Sequence, residues 1–263
     1  MFFSSDNLAL LVAQAACVAL PAAGLPVWAR RLRTPAWALV LPLSIAVVVA
    51  AIELVPSTAD ALTWVALVGV PPGCALALGW AARGARPAFA VLALVLLALA
   101  WQYPGDRSGQ AATALLIAGS AVTLGRLLAG AAPLTLLKAG IVAMAAIDAY
   151  LVFSNRLQAP NAVLVAASPG AGLPQLQSAS FGGAGLGYGD FFAAAVVGAI
   201  LAAERRPQLA AAAAMLVLSL AWDQLFLVYD VLPATIPPAV TLLVFAVRRP
   251  PGAPDRGGRT SRR

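Results

Sequence analysis

Long apolar runs, separated by short polar breaks, constrain this chain of 263 residues more than any other feature of its sequence. A run of about 20 apolar residues is long enough to cross a bilayer as a helix. Hydrophobic residues make up 62% of the chain and charged residues only 10%, whereas a soluble domain has about a quarter of its residues charged. The pattern predicts an all-α membrane protein, a polytopic bundle of about nine transmembrane helices. The predicted spans are residues 7–29, 35–55, 61–82, 87–103, 111–129, 134–154, 182–203, 208–229 and 231–247.

Most basic residues fall in every second break between these spans. Cytoplasmic loops of membrane proteins carry an excess of Lys and Arg, so the pattern predicts an outer amino terminus and a cytoplasmic carboxyl terminus. Residues 248–263 then form a basic cytoplasmic tail, which we expect to be disordered. Sixteen of the 17 basic residues are Arg, and this bias, with abundant Ala and short loops, favours a bacterial plasma membrane protein. The predicted inner loops contain Arg30, Arg31, Arg33, Arg83, Arg86, Arg126, Arg205 and Arg206, and the outer loops contain Arg107 and Arg156.

Composition also excludes several kinds of site. The chain has no His, which excludes a His-based catalytic triad and a His-ligated metal. Cys17 and Cys74 lie inside apolar runs without a partner motif, so they are interpreted as small apolar residues. The net charge of +7 is spread over loops and tail, which argues against a nucleic-acid partner. We predict no cofactor and no metal.

Three carboxylates, Asp148, Asp190 and Asp223, lie inside predicted spans. A carboxylate in hydrocarbon is costly, so it usually marks function or makes a hydrogen bond between helices. Asp148 is about six residues, roughly 9 Å, below the outer end of its span, and Asp190 is about eight residues, roughly 12 Å, below the same face. Similar depth on consecutive helices predicts a pair that shares a proton, in which one carboxylate activates water and the other polarises a carbonyl. Asp223 is interpreted either as a hydrogen-bond partner of a neighbouring helix or as a group that tunes the carboxylate pair.

Two further segments accompany the carboxylates. A glycine-rich stretch, residues 182–189, runs directly into Asp190, and glycines this dense allow backbone and substrate to approach closely or small residues to line helix contacts. Leu232 to Pro238 opens the ninth span with three prolines, which leave backbone carbonyls unpaired beside protein or a water-filled cavity. Lys138, near the inner end of the sixth span, is expected to extend its amine to the lipid headgroups.

Together these segments resemble the presenilin and signal peptide peptidase group of Gly-x-Gly-Asp intramembrane aspartyl proteases. That group has nine membrane helices, with Tyr-Asp on the sixth, Gly-x-Gly-Asp on the seventh and Pro-Ala-Leu at the start of the ninth. The matching positions here are Ile147-Asp148, Gly187-Tyr188-Gly189-Asp190 and Pro233-Ala234-Thr235. Three positions depart from the motifs, because Ile147 replaces Tyr, Tyr188 is bulkier than usual and Thr235 replaces Leu.

The resemblance implies a presenilin-like fold and an endopeptidase that cuts membrane-spanning segments within the bilayer. It implies an amino-terminal bundle of helices 1–5 in residues 1–133 and a catalytic bundle of helices 6–9 in residues 134–247. Substrates would be type II-oriented helices or remnant signal peptides, because the predicted orientation matches the signal peptide peptidase branch. The implied catalytic residues are Asp148 and Asp190, and the implied substrate-positioning residues are Gly187, Tyr188, Gly189, Pro233, Ala234 and Thr235.

Other functions stay open from the sequence. A proton- or cation-coupled transporter would also use intramembrane Asp residues, although the sequence has no detectable inverted repeat. A prepilin peptidase is disfavoured, because it usually has a basic residue two positions after Gly-x-Gly-Asp, where this chain has Phe192. An inactive membrane scaffold is the third alternative.

Overall fold

The computed structural model describes residues 5–26, 31, 33–170, 172–229 and 231–247. Apolar helices follow one another along almost the whole of this region, because a backbone in lipid must satisfy its own hydrogen bonds. The predicted basic tail, residues 248–263, lies outside the described residues. The elements are α1 Ser5–Ala19, α2 Val40–Leu54, α3 Thr58–Leu76, α4 Leu92–Gln102, α5 Arg107–Ala131, α6 Leu134–Phe153, α7 Gln158–Ala166, β1 Ser178–Phe181, β2 Ala184–Gly187, α8 Tyr188–Ala203, α9 Gln208–Trp222 and α10 Ile236–Val247.

Five helical segments of the described chain are long and apolar enough to cross a membrane. The predicted class, a helical membrane protein, is therefore confirmed at this level. The other four predicted spans coincide with apolar helices of 10–17 residues, which are shorter than a straight crossing of a typical bilayer requires. The long segments are Pro35–Leu54, Thr58–Ala81, Arg107–Ala131, Leu134–Phe153 and Gln208–Leu227, and the shorter ones are Ser5–Ala19, Pro87–Gln102, Tyr188–Ala203 and Ile236–Ala246.

The end of the first predicted span, residues 7–29, is wrong. Helix α1 ends at Ala19, and Pro21 follows in an isolated bridge with Ala82. Proline has no backbone N–H to continue a helix. The next residue, Ala22, instead donates its N–H to the Ala81 carbonyl at 2.9 Å.

The seventh predicted span, residues 182–203, begins too early, and the chain is not purely α-helical. Strands β1 and β2 form an antiparallel hairpin in which Ser178 pairs with Gly187 and Phe181 with Ala184. Gly182, with φ of +58°, occupies the turn, a conformation that glycine adopts without steric penalty. Periodicity does not separate a short apolar glycine-rich strand from a helix. Helix α8 starts only at Tyr188, and the short helix α7 is a further unpredicted element in the same connection.

Helix α8 lies at the centre of the bundle. Its residues from Phe191 to Leu201 are all buried. On one side Gly198 lies directly against the α1 backbone at Val18, and on another Gly125 of α5 lies against the α8 backbone, where an added Cβ would stand 2.7 Å from the Ala195 carbonyl. Small residues allow this close helix packing in a membrane, and it fixes α8 between α1 and α5.

Candidate active site

Asp148 lies in the interior of the bundle, five residues before the end of α6. Its side chain is only 4% exposed. The Thr235 hydroxyl donates to Asp148 Oδ2 at 2.6 Å. The residue that departs from the Pro-Ala-Leu motif therefore binds the predicted catalytic carboxylate directly.

Asp190 lies in the first turn of α8. The Gly187 N–H, at the end of strand β2, donates to Asp190 Oδ2 at 3.0 Å. The carboxylate thus caps its own helix, at an end where the helix dipole favours negative charge. The predicted helix start near residue 182, from which the depth of Asp190 was counted, is wrong: Asp190 is close to the amino-terminal end of α8, and the hairpin occupies the preceding residues.

The two carboxylates lie close enough for their charges to interact. Helices α6 and α8 also approach each other beside Asp190, since a Cβ on Gly189 would stand 3.9 Å from Met144 Cε. The structure therefore brings Asp148 and Asp190 within electrostatic range of each other, through packing of α6 against the start of α8. Such a pair can exchange a proton with a water molecule and a carbonyl group.

The three residues that precede Asp190 in the sequence differ in what surrounds them. Gly187 supplies the cap just described, and Gly189 is exposed and leaves the face beside Met144 open. Tyr188 points to α5, where its hydroxyl lies 2.9 Å from Ser120 Oγ. The tyrosine that is unusual in the motif therefore holds the start of α8 against α5.

The third segment lies immediately before α10. Pro233 is buried and Ala234 is half-buried, and the Pro233 carbonyl accepts from the Ile236 N–H at 3.5 Å. This turn presents Thr235 to Asp148. The ninth predicted span, residues 231–247, starts five residues too early, because residues 231–235 precede the helix.

Asp223 does not join the pair. It follows α9 directly, and Asn7 Nδ2 of α1 donates to its Oδ2 at 2.7 Å. This bond confirms the interpretation of Asp223 as a partner of a neighbouring helix. Among the described residues, no group of three or more His, Cys, Asp and Glu could hold a metal ion.

Two further polar contacts of the bundle were not predicted, and only the first adjoins the pair. Gln14, buried in α1, donates through Nε2 to the Asp190 carbonyl at 3.3 Å, and its isolated position in an apolar run was the available signal. The amine of Lys138, which was expected to extend to the headgroups, pairs with Glu204 at the end of α8 at 2.6 Å. This ion pair links α6 and α8 at the end of each helix that is distant from its Asp.

Comparisons of the chain with protein-family models, curated proteins and solved structures give no match. The resemblance to the Gly-x-Gly-Asp proteases therefore depends on the three motifs, their order and the geometry that relates them.

Proposed function

We propose that this protein is an intramembrane aspartic endopeptidase of the Gly-x-Gly-Asp type, which hydrolyses peptide bonds within transmembrane segments. One observation carries the proposal: Asp148 and Asp190, from separate helices, lie within electrostatic range, and the third motif donates a hydrogen bond to one of them. An intramembrane carboxylate is costly, and two such groups together are more costly still. A shared proton removes much of that repulsion and supplies an acid and a base in one site.

The chemistry requires only water and the peptide. The ionised carboxylate accepts a proton from water, whose oxygen attacks the scissile carbonyl carbon, while the protonated carboxyl group donates its proton to the carbonyl oxygen. The resulting tetrahedral diol then loses one hydroxyl proton as the C–N bond breaks, and the leaving nitrogen gains a proton. The products are a new carboxyl and a new amino terminus, with one water molecule consumed.

The hairpin supports a route by which a helical substrate becomes accessible. A peptide bond inside a helix is shielded by its own turn, so a segment must become extended before it is cut. Strand β2 ends at Gly187, three residues before Asp190, and the two-stranded sheet leaves an outer edge on β2 among the described strands. An unpaired strand edge binds extended peptide through main-chain hydrogen bonds.

We further infer a presenilin-like arrangement in which nine helices enter the bilayer, the amino terminus lies outside and the carboxyl terminus is cytoplasmic. Every predicted span overlaps an apolar helix, and a short hydrophobic helix is accommodated by local thinning of the bilayer. The basic inner loops support this orientation and a bacterial plasma membrane location. Substrates would then be type II-oriented helices or remnant signal peptides.

The decisive experiment uses purified full-length protein in detergent with a synthetic reporter helix, and mass spectrometry identifies the products. Asp148→Asn and Asp190→Asn each remove the carboxylate but keep its size. In Asp190→Asn the new amide oxygen can still accept the bond that caps α8. We expect both variants to lose cleavage while they keep the wild-type unfolding midpoint.

Asp223→Asn is the matched control, since it changes an Asp of the bundle that contacts Asn7 and not the pair. We expect it to retain substantial activity. Wild-type cleavage by either variant of the pair would refute the proposal, as would the absence of products from folded wild-type protein across a panel of reporter helices.

A further inference from the structure

Two adjoining cavities open at the carboxyl-terminal end of α8, away from Asp190. One has a volume of about 550 Å³ and the other about 660 Å³. Both are lined by Ala23, Ala202 and Arg205. Arg205 therefore stands at the junction of two cavities on the face that is predicted to be cytoplasmic.

Arginine side chains dominate the charge of these cavities. Arg83, Arg205 and Arg206 line the first, and Arg33 joins Arg205 in the second. Arg33, Arg83 and Arg205 form no ion pair with a carboxylate in the described part of the chain. The carboxylate next in sequence, Glu204, is engaged by Lys138. The cavities thus combine three positive charges that the described residues do not neutralise.

The contacts of two of these arginines leave their charge available. Arg83 donates to Gln208 Oε1 at 3.2 Å, and Arg33 donates to the Gly130 carbonyl at 3.1 Å. Both acceptors are neutral. These bonds orient the guanidinium groups around the cavities and leave their charges available to an anion.

Arg205 has an unusual backbone conformation for its residue type. Helix α8 ends in a Schellman motif, with the Arg205 N–H on the Ala202 carbonyl and the Arg206 N–H on the Leu201 carbonyl. Arg205 has φ of +56°. Glycine usually occupies this position of the motif, because the backbone of a residue with a side chain is strained there. Helix α6 ends in the same motif with Asn155, at φ of +58°, and Asn tolerates this conformation better than most residues.

The Arg205 side chain contributes nothing evident to folding. It is exposed, and its guanidinium makes no hydrogen bond or ion pair with the described residues. A long cationic side chain that has a strained backbone and no partner among the described residues is typical of a residue that binds a ligand.

We infer that these cavities bind the phosphate group of an anionic phospholipid headgroup at the cytoplasmic membrane surface, with Arg205 as the central contact. Guanidinium groups bind phosphate oxygens bidentately, and basic pockets between membrane helices on the cytoplasmic side bind acidic headgroups. Free inorganic phosphate shares this chemistry, but a site at the ends of membrane helices faces the headgroup layer. The inference does not depend on the proposed cleavage.

The test compares full-length wild-type protein with Arg205→Asn and Arg205→Lys in nanodiscs that contain phosphatidylglycerol and phosphatidylcholine. Native mass spectrometry counts the lipids retained after release. We expect wild-type protein to retain phosphatidylglycerol preferentially. Arg205→Asn should weaken that retention about five-fold, the effect of one basic residue near an acidic headgroup, and Arg205→Lys should preserve most of it. Arg156→Gln, at the opposite end of the bundle, is the control that should leave retention unchanged.

Thermal unfolding in detergent separates lipid binding from folding. Without lipid, Arg205→Asn should unfold at the wild-type temperature or above it, because strain is relieved. Phosphatidylglycerol should raise the wild-type midpoint more than that of this variant. Equal retention by wild-type protein and Arg205→Asn would overturn the inference, as would a lower lipid-free midpoint for the variant, which would assign Arg205 to folding. Equal stabilisation by inorganic phosphate and phosphatidylglycerol would overturn the assignment to a lipid.

Discussion

Replacement of Thr235 by Val removes the hydroxyl that donates to Asp148 and preserves the size and branching of the side chain. Both residues are almost fully buried, with exposures of 3% and 4%, so bulk water does not readily replace the lost donor. A hydrogen bond to a charged group contributes about 1.5–3 kcal/mol. The lower end of this range sets the minimum expected effect. About 1.5 kcal/mol corresponds to roughly a ten-fold fall in rate.

The assay measures kcat and KM for cleavage of the reporter helix and compares Thr235→Val with Thr235→Ser. The serine variant keeps the donor and loses only the methyl group, so its kcat should stay within about three-fold of the wild type, a change of less than about 1 kcal/mol. We expect the valine variant to lose kcat with little change in KM, because the bond orients a reacting group and does not hold the substrate. Wild-type kcat in folded Thr235→Val would refute this reasoning, and equal losses in both variants would attribute the effect to packing.

Two predictions concern the packing of the central helix. Gly198→Ala should lower the thermal unfolding midpoint and reduce the free energy of unfolding by roughly 1–3 kcal/mol, because its Cβ would meet the α1 backbone. Gly69→Ala should leave the midpoint unchanged, because no atom lies within 4 Å of its Cβ. Equal midpoints for the two variants would contradict the close packing. Glu204→Gln should lower the midpoint and reduce the free energy of unfolding by about 1 kcal/mol. The reason is loss of the ion pair with Lys138, in which the two side chains are 23% and 26% exposed. The double variant with Lys138→Met should recover part of the loss, and an unchanged midpoint in Glu204→Gln would show that the pair does not stabilise the bundle.

The sequence predicted the helix that carries Asp148 almost to the residue. The expected span was 134–154 and the helix is Leu134–Phe153, because Pro133 marks its start and a continuous apolar run defines its length. The start of α8 was not predictable in the same way. The residues before Tyr188 are mostly Gly, Ala and Ser, whose pattern does not distinguish a strand from a helix, and only pairing between β1 and β2 selects the strand.

The hydrogen-bond partners of the candidate site could not be predicted from the sequence, for a related reason. Asp148 and Thr235 are separated by 87 residues, and no local pattern indicates which of several polar groups a buried carboxylate will meet. The motif comparison identified Thr235 only as a departure from Leu, whereas in the structure its hydroxyl contacts Asp148 directly. Lys138 illustrates the same limit, since its place near the inner end of the span predicted a side chain that reaches the headgroups and did not indicate its ion pair with Glu204.

The apolar runs by themselves determined that this chain forms membrane helices, where most of those helices lie and which carboxylates are confined among them. The physical reason is that a backbone in hydrocarbon has to satisfy its hydrogen bonds within its own segment, so composition alone selects the helix. Tertiary structure decided which polar groups come together: Asp148 contacts Thr235 and lies within electrostatic range of Asp190, and Asp223 contacts Asn7. Those contacts depend on helix rotation and close packing of small residues, which hydrophobicity along a single chain does not encode.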